Sequence, residues 1–473
     1  MQKEENMENT LKLNTKRTIY IALGFFAVLM FWQVFNFYVP LILRVMLMDM
    51  GVENFNTIIG MIMSIDNLFA LLFIPLIGIL SDRTKTRIGK RMPYIICGVA
   101  LTVLIFPFIP VLFMLGSGWG AFGGALAMMA IVLIAMSIVR TTAVALVPDV
   151  TPKPLRPKAN AYVNFIGYIG AILAGGIAMI VHADLVKDQS AMVLIPFIAV
   201  SLIMVLMIAL LFRNVKENKV LAEMEAELEL GEKMAETEAA KRPDRKLTRQ
   251  DKINLAIILG SIFLWFFAFN AVETFWSTYG GYTDNLTGEV IGGVLGGGSL
   301  VGLAVIVLPV TSLITFPFVI WLNKKIGQKW SVIMGISLML VPMSLLILAT
   351  SLEGIQGFFV LLAFASCGAG WAMINVNSFP MVMNYANKNN KGKFTGIYYV
   401  ASMSAQTLTT VIAGLFADYV FNDDWRFLFP YAAIFMAGAL VLMLFYKRKQ
   451  QTEVIAEEAK AATEEIDDEK FNF

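Results

Sequence analysis

One histidine, His182, and two cysteines, Cys97 and Cys367, are all that 473 residues contain of those two types. Both cysteines sit in apolar runs, so neither a disulfide framework nor a thiolate metal cluster can be read. A lone histidine removes His-based metal sites. Charge is scarce as well. Asp, Glu, Lys and Arg make up 15% of the chain, against about 25% in a soluble domain, which argues against an ordinary soluble enzyme. The formal net charge of +2 is too small to suggest nucleic-acid binding. No Gly-x-x-x-x-Gly-Lys-Ser/Thr loop is present to cradle a nucleotide. No nucleophile–base or metal constellation is visible, so enzyme chemistry is not expected.

What the chain has is apolar length. Hydrophobic residues reach 58% and mean hydropathy is +0.71. At roughly 20 residues per crossing, there is room for about a dozen membrane spans. Apolar runs fall at 18–43, 55–80, 93–115, 122–147, 160–182 and 190–212, then at 253–279, 296–321, 330–350, 356–383, 395–417 and 428–446. Runs this apolar are helices, because a lone strand in lipid leaves its backbone unpaired. The fold expected is an all-α membrane protein of twelve helices in two six-helix halves, 18–213 and 253–446. Around them lie an N-terminal segment (1–17), a polar linker (214–252) and an acidic, mobile tail (447–473). The first apolar run lacks a small-residue cleavage site and reads as an anchor rather than a signal peptide.

Of the 37 Lys and Arg, 33 fall on the side of the membrane that holds the N-terminus, the linker and the C-terminus. Arg44, Lys187 and Arg426 fall on the other side, and Arg140 lies inside a span. The positive-inside rule makes both termini cytoplasmic in a plasma or inner membrane. The linker mixes acids and bases and reads as a solvated helix or partly disordered tether.

Between spans two and three runs Gly78-Ile-Leu-Ser81-Asp82-Arg83-Thr84-Lys85-Thr86-Arg87-Ile-Gly89-Lys90-Arg91-Met-Pro93. Asp82 can pair with neighbouring cations, Gly78 allows close helix approach and Gly89 permits a tight turn. The set Gly78, Asp82, Arg83, Arg87, Gly89, Lys90 and Arg91 is read as a conformational latch. This loop resembles the signature of the major facilitator superfamily, Gly-x-x-x-Asp-Arg-x-Gly-Arg-Arg, with four extra residues between Asp82 and Gly89. Its longer form is similar to the glycoside–pentoside–hexuronide:cation symporters and the sucrose–proton symporters. So are the blocks Arg140-Thr-Thr-Ala-Val-Ala-Leu-Val-Pro148-Asp149 and Trp371-Ala-Met-Ile-Asn375-Val-Asn377. A degenerate copy, Leu322-Asn323-Lys324-Lys325-Ile326-Gly327, follows span eight, with Asn323 replacing the acid. Paired latches agree with two parallel halves and a substrate at their interface.

Ionisable groups inside spans are functional candidates by default. Asp66, Glu273 and Arg140 are three of them. A carboxyl in a water-filled cavity between the halves can load and release protons, so Asp66 and Glu273 are proton-coupling candidates. Asp66 could instead make a structural hydrogen bond, and Glu273 could sit at the outer mouth. Arg140 either meets substrate or an intramembrane carboxylate, or joins a latch through Asp149. The related sucrose symporters carry a coupling carboxylate in span four, and this chain has none between Leu126 and Val147.

A sugar needs neutral donors and acceptors plus an aromatic face. Gln33, Asn36, Asn67, Arg140, Asn164, Tyr168, Asn270, Trp276, Trp371, Asn375, Tyr399 and Gln406 supply them from helices of both halves. Each alone could be interhelical glue. The resemblance implies a proton-coupled importer of a disaccharide or related glycoside, functional as a monomer. It needs no cofactor or metal and no partner beyond the sugar and the bilayer. A sodium-coupled symporter and a membrane sugar sensor that moves nothing are the alternatives.

Overall fold

A computed structural model describes residues 11–116, 118–188, 190–240, 247–283, 290–291, 294–295, 297–349, 356–386 and 390–447. Eleven of its helices are long and apolar enough to cross a membrane. One of them, Gly298–Ala349, bends at Gly327, whose φ of 77° and ψ of 167° are not helical. It therefore supplies two crossings, and the described residues hold twelve in all. Gly327 takes a backbone conformation that costs any residue with a Cβ, which is why the chain can turn there without a long loop.

The first half contains span one (Thr15–Asp49), span two (Phe55–Arg83), span three (Met92–Met114), span four (Trp119–Asp149), span five (Arg156–Ile180) and span six (Leu194–Asn214). The second half contains span seven (Arg249–Gly280), spans eight and nine (298–326 and 328–349), span ten (Gln356–Met383), span eleven (Lys391–Tyr419) and span twelve (Leu428–Phe445). Pro107, which lacks a backbone donor, splits span three between Ile105 and Phe108. Span seven opens with a capping box, Thr248 and Asp251 each satisfying the other's backbone N–H. Span eight starts at Gly298. The Gly-rich stretch before it lies partly outside the described residues, as do the tail from 448 onward and residues 241–246. A two-residue pairing, Tyr282–Thr283 with Val290–Ile291, precedes it.

The linker departs from a purely solvated tether. Residues Glu217–Ala240 form a helix with Val220 and Met224 buried and Leu221 and Leu228 packed against the core. It lies on the first half, with Gly231 against Pro152 and Lys153 paired to Glu232. Its heptad-like apolar side is short, so composition masked a docked helix. We call the side of the molecule that holds this helix and the latch loop the basic face, and the opposite side the far face.

The halves meet through spans two and eleven, five and eight, and one and seven. A Cβ at Gly60 would collide with the Thr410 carbonyl, and one at Gly414 with the Asn56 carbonyl. Gly302 is held against the Met179 backbone and Gly175 against Ile306. Small residues at such crossings let helix backbones approach in lipid.

Candidate functional site: a chamber between two halves

Three acidic side chains close the far face. Arg44, at the end of span one, is fully buried and pairs with both carboxylate oxygens of Asp423, which follows span eleven. Asn56 adds a bond to the same carboxylate at 2.9 Å, and Phe55 lies 5.0 Å under the guanidinium. Asp418 accepts the Asn56 N–H, the Thr57 N–H and the Thr57 hydroxyl at 3.2, 2.7 and 2.6 Å. A carboxylate from the second half thus caps a helix of the first, where the exposed N–H groups and helix dipole favour an anion. Asn422 and Asp423 have φ of 47° and 66°, a left-handed turn that Asn and Asp tolerate better than other side chains. Across the other crossing, Asp184 accepts the Gly298 N–H at 3.1 Å.

Below this clasp is the chamber. Asp66, from span two, is half-buried and takes the Asn67 backbone N–H at 2.6 Å. Glu273, from span seven, is the one exposed side chain between Phe267 and Gly280. It lies within electrostatic reach of Asp66 and Arg140 and within hydrogen-bonding reach of Asn36. Its exposure is therefore to the space between the halves, not to lipid and not to an outer mouth. Arg140, half-buried, is likewise within reach of Asp66. Two acids and one base from spans two, four and seven thus surround one interior space. Trp371 and Phe269 stack at 4.2 Å with 13° between planes, and the Tyr168 hydroxyl is within reach of Trp371. These rings, from spans five, seven and ten, wall the chamber beside the charges.

The other candidates divide. Gln33 and Asn67 are half-buried near these groups in sequence, and Asn164 is exposed on span five. Asn270 is buried and bonds back to the Phe266 carbonyl at 3.2 Å. Trp276 is buried, its indole N–H donating to the Val301 carbonyl at 2.9 Å while its ring packs on Phe364. Both are therefore packing groups in this conformation, their polar atoms already committed. Asn375 and Gln406 also bond back within their helices, to Trp371 and Ser402, but stay half-buried. Tyr399 is 40% exposed.

At the basic face, Arg91 joins Asp82, Ser81 and Asp149, the last through Nε at 2.8 Å. Lys90 reaches Asp149 at 3.1 Å. Burial works against the Arg91 charge, but the bonds to Asp149 and Asp82 outweigh it and hold its pKa above the ordinary value. Asp149 is thereby occupied, so Arg140 does not serve a latch through it. Gly89 has φ of 119° and faces Glu217 of the linker helix. Glu217, fully buried, accepts the N–H groups of Lys90, Arg91 and Met92. Arg83 and Arg87 are exposed, and a Cβ at Gly78 would meet nothing, so close approach does not explain that glycine here. All described latch bonds stay within the first half and its linker.

The Asp149, Glu217 and Asp418–Asp423 partnerships were not readable as such. Arg44 did carry a signal: it ends a long apolar run, where a charge without a partner is costly.

The profile of the Major Facilitator Superfamily matches residues 21–310 and 294–468, and the chain belongs to this family. It is a multi-pass membrane transporter rather than an enzyme, and it handles small molecules. Among solved structures it is similar to a D-xylose–proton symporter, with 15% identity, a TM-score of 0.67, 92% of this chain and 98% of that one covered. It also resembles the inward-open xylose transporter XylE from E. coli, with 15% identity, a TM-score of 0.65 and coverages of 92% and 96%. A bacterial homologue of the iron transporter ferroportin, inward-facing, matches at 14% identity and a TM-score of 0.60, over 93% and 100%. At such identities the likeness is one of fold. No curated protein matches the sequence.

Proposed function

We propose that the protein is a proton-coupled symporter of a disaccharide or related glycoside, of the glycoside–pentoside–hexuronide or sucrose–proton symporter type. The observation that carries this is the meeting of Asp66, Glu273 and Arg140 from both halves around one chamber. Two carboxylates within electrostatic reach of one guanidinium make a proton relay: with a proton on one acid, the attraction of Arg140 falls on the other. Moving the proton between them changes what holds the two halves together, which is what coupling requires. The amides and the Trp371–Phe269 stack supply a neutral, ring-shaped ligand with donors and an apolar face. A guanidinium between the acids makes a poor site for Na⁺, which wants clustered oxygens without a competing cation.

In this reading the basic face is cytoplasmic, both termini with it, and the molecule works as a monomer in the cell membrane. The sealed far face and the solvent-accessible Glu273 then describe a carrier open to the cytoplasm. The D-xylose–proton symporter supports a sugar, whereas the iron-transporter homologue shows that the fold serves other cargo. Counterflow of labelled sugars in proteoliposomes is the test. Exchange of a glycoside, with uphill uptake driven by a proton gradient in sodium-free buffer, is expected. Binding without counterflow across a broad sugar panel would turn the protein into a sensor, and dependence on Na⁺ would overturn the coupling ion.

A further inference from the structure

The basic face holds a second cavity, of about 200 Å³, where the latch loop, the end of span six and the start of the linker helix come together. Its cations are Arg87, Lys216 and Lys219. Its one carboxylate, Glu217, is buried and spent on backbone N–H groups at the start of span three. Lys219 shares some charge with the exposed Glu223 at 3.7 Å, a contact worth little in water. Lys216 donates to the Phe212 carbonyl at 3.2 Å and its ammonium stands 4.4 Å over the Phe212 ring. Asn218 pins the loop by donating to the Thr86 and Arg87 carbonyls at 2.8 and 3.1 Å. The cavity is thus preformed and positively charged.

Its floor is apolar, and that floor continues. Phe212 and the partly exposed Ile88 border it. From Phe212 back along span six run Ala209, Leu206, Val205 and Leu202, all exposed and spaced so as to share one helix face. On a membrane-spanning helix such a face lies against lipid. A charged pocket at the end of a lipid-facing stripe, at the level where span six leaves the apolar layer, matches a molecule with a phosphate head and a hydrocarbon tail.

We propose that this cavity binds the phosphate headgroup of an anionic membrane lipid, its chain lying along the span-six stripe. Occupancy would clip the latch loop to the linker helix. A basic pocket beside a membrane surface attracts such headgroups by roughly 1 kcal/mol per cation. Soluble phosphate shares the charge but not the chain.

The test uses the purified full-length protein in detergent, titrated with phosphatidylglycerol or phosphatidylcholine, with bound lipids counted by native mass spectrometry. Retention of phosphatidylglycerol over phosphatidylcholine is expected. Arg87→Gln combined with Lys216→Gln should weaken that retention roughly thirtyfold, whereas Arg87→Lys should keep it. Lys85→Gln and Lys158→Gln, which remove exposed cations outside the cavity, should leave it unchanged. Among the described residues all these side chains but Lys216 bond no other residue's backbone, and an unchanged Tm of each variant is the check that folding is intact. Equal retention of the two lipids, or no loss in the double variant, would overturn the site. Displacement of bound lipid by inorganic phosphate alone would overturn the lipid assignment.

Discussion

An acid that accepts a proton only to neutralise itself differs from one that has a base and a second acid within electrostatic reach, and Asp66 and Glu273 stand in the second relation to Arg140. Asp66→Asn is therefore expected to abolish uphill accumulation while preserving exchange of labelled sugar between compartments. Exchange needs only reorientation of the loaded carrier. Normal accumulation by this variant would make Asp66 structural and pass the role to Glu273, whose own Glu273→Gln variant then becomes the decisive measurement. The planar fork of Arg140 can face two carboxylates at once. Arg140→Lys should accordingly impair transport nearly as much as Arg140→Ala, and a fully active Lys variant would show that a point charge is enough. The three charged residues were visible in the sequence because hydrocarbon makes any charge conspicuous. The sequence could not show that Trp276 is turned toward Val301, because an indole at a span end has equal reasons to face protein, ligand or lipid.

Elements carry the next layer. The latch ties spans two, three and four to the linker helix through Asp82, Arg91, Asp149 and Glu217, and none of these residues reaches the chamber. Asp82→Asn should slow transport with little change in sugar affinity, measured as binding to the purified protein against turnover in liposomes. Glu217→Gln keeps one acceptor oxygen, turns the other into an NH2 donor and loses the charge that faces three N–H groups. A loss of about 1–2 kcal/mol is expected, read as a lower Tm of the detergent-solubilised protein. The corresponding corner of the second half is built from amides. Asn323 donates to Asn377 at 2.8 Å, and Asn377 donates to Ser331 at 3.2 Å. Replacement of the acid by Asn323 was plain in the sequence, and so were the spans, since 20-residue apolar runs have few alternatives. The docking of Glu217–Ala240 was not. A helix with a charge at most positions reads as solvated unless one knows that Val220 and Met224 meet a partner.

For the whole molecule the far-face seal rests on two glycine crossings and one ionic clasp. Gly60→Leu or Gly302→Leu should hold the halves apart there, since the space a side chain would need is filled by backbone of the other half. With Cys97 and Cys367 replaced by serine and a single cysteine placed at Met63, labelling from the far side by an impermeant maleimide should rise severalfold. Unchanged labelling would mean that the crossings do not set closure. The residues that close this face are separated by more than 300 positions, Arg44 from Asp423 and Asn56 from Asp418, so local pattern carried no trace of their pairing. Opening the clasp removes Arg44 from its acid while it is still wrapped by protein, and an unpaired buried guanidinium is costly. An empty carrier has nothing to offset that cost. Reopening the far door without cargo, which an import cycle must do once per turn, should then be its slow step, and exchange of labelled substrate, which skips that step, should outrun net uptake.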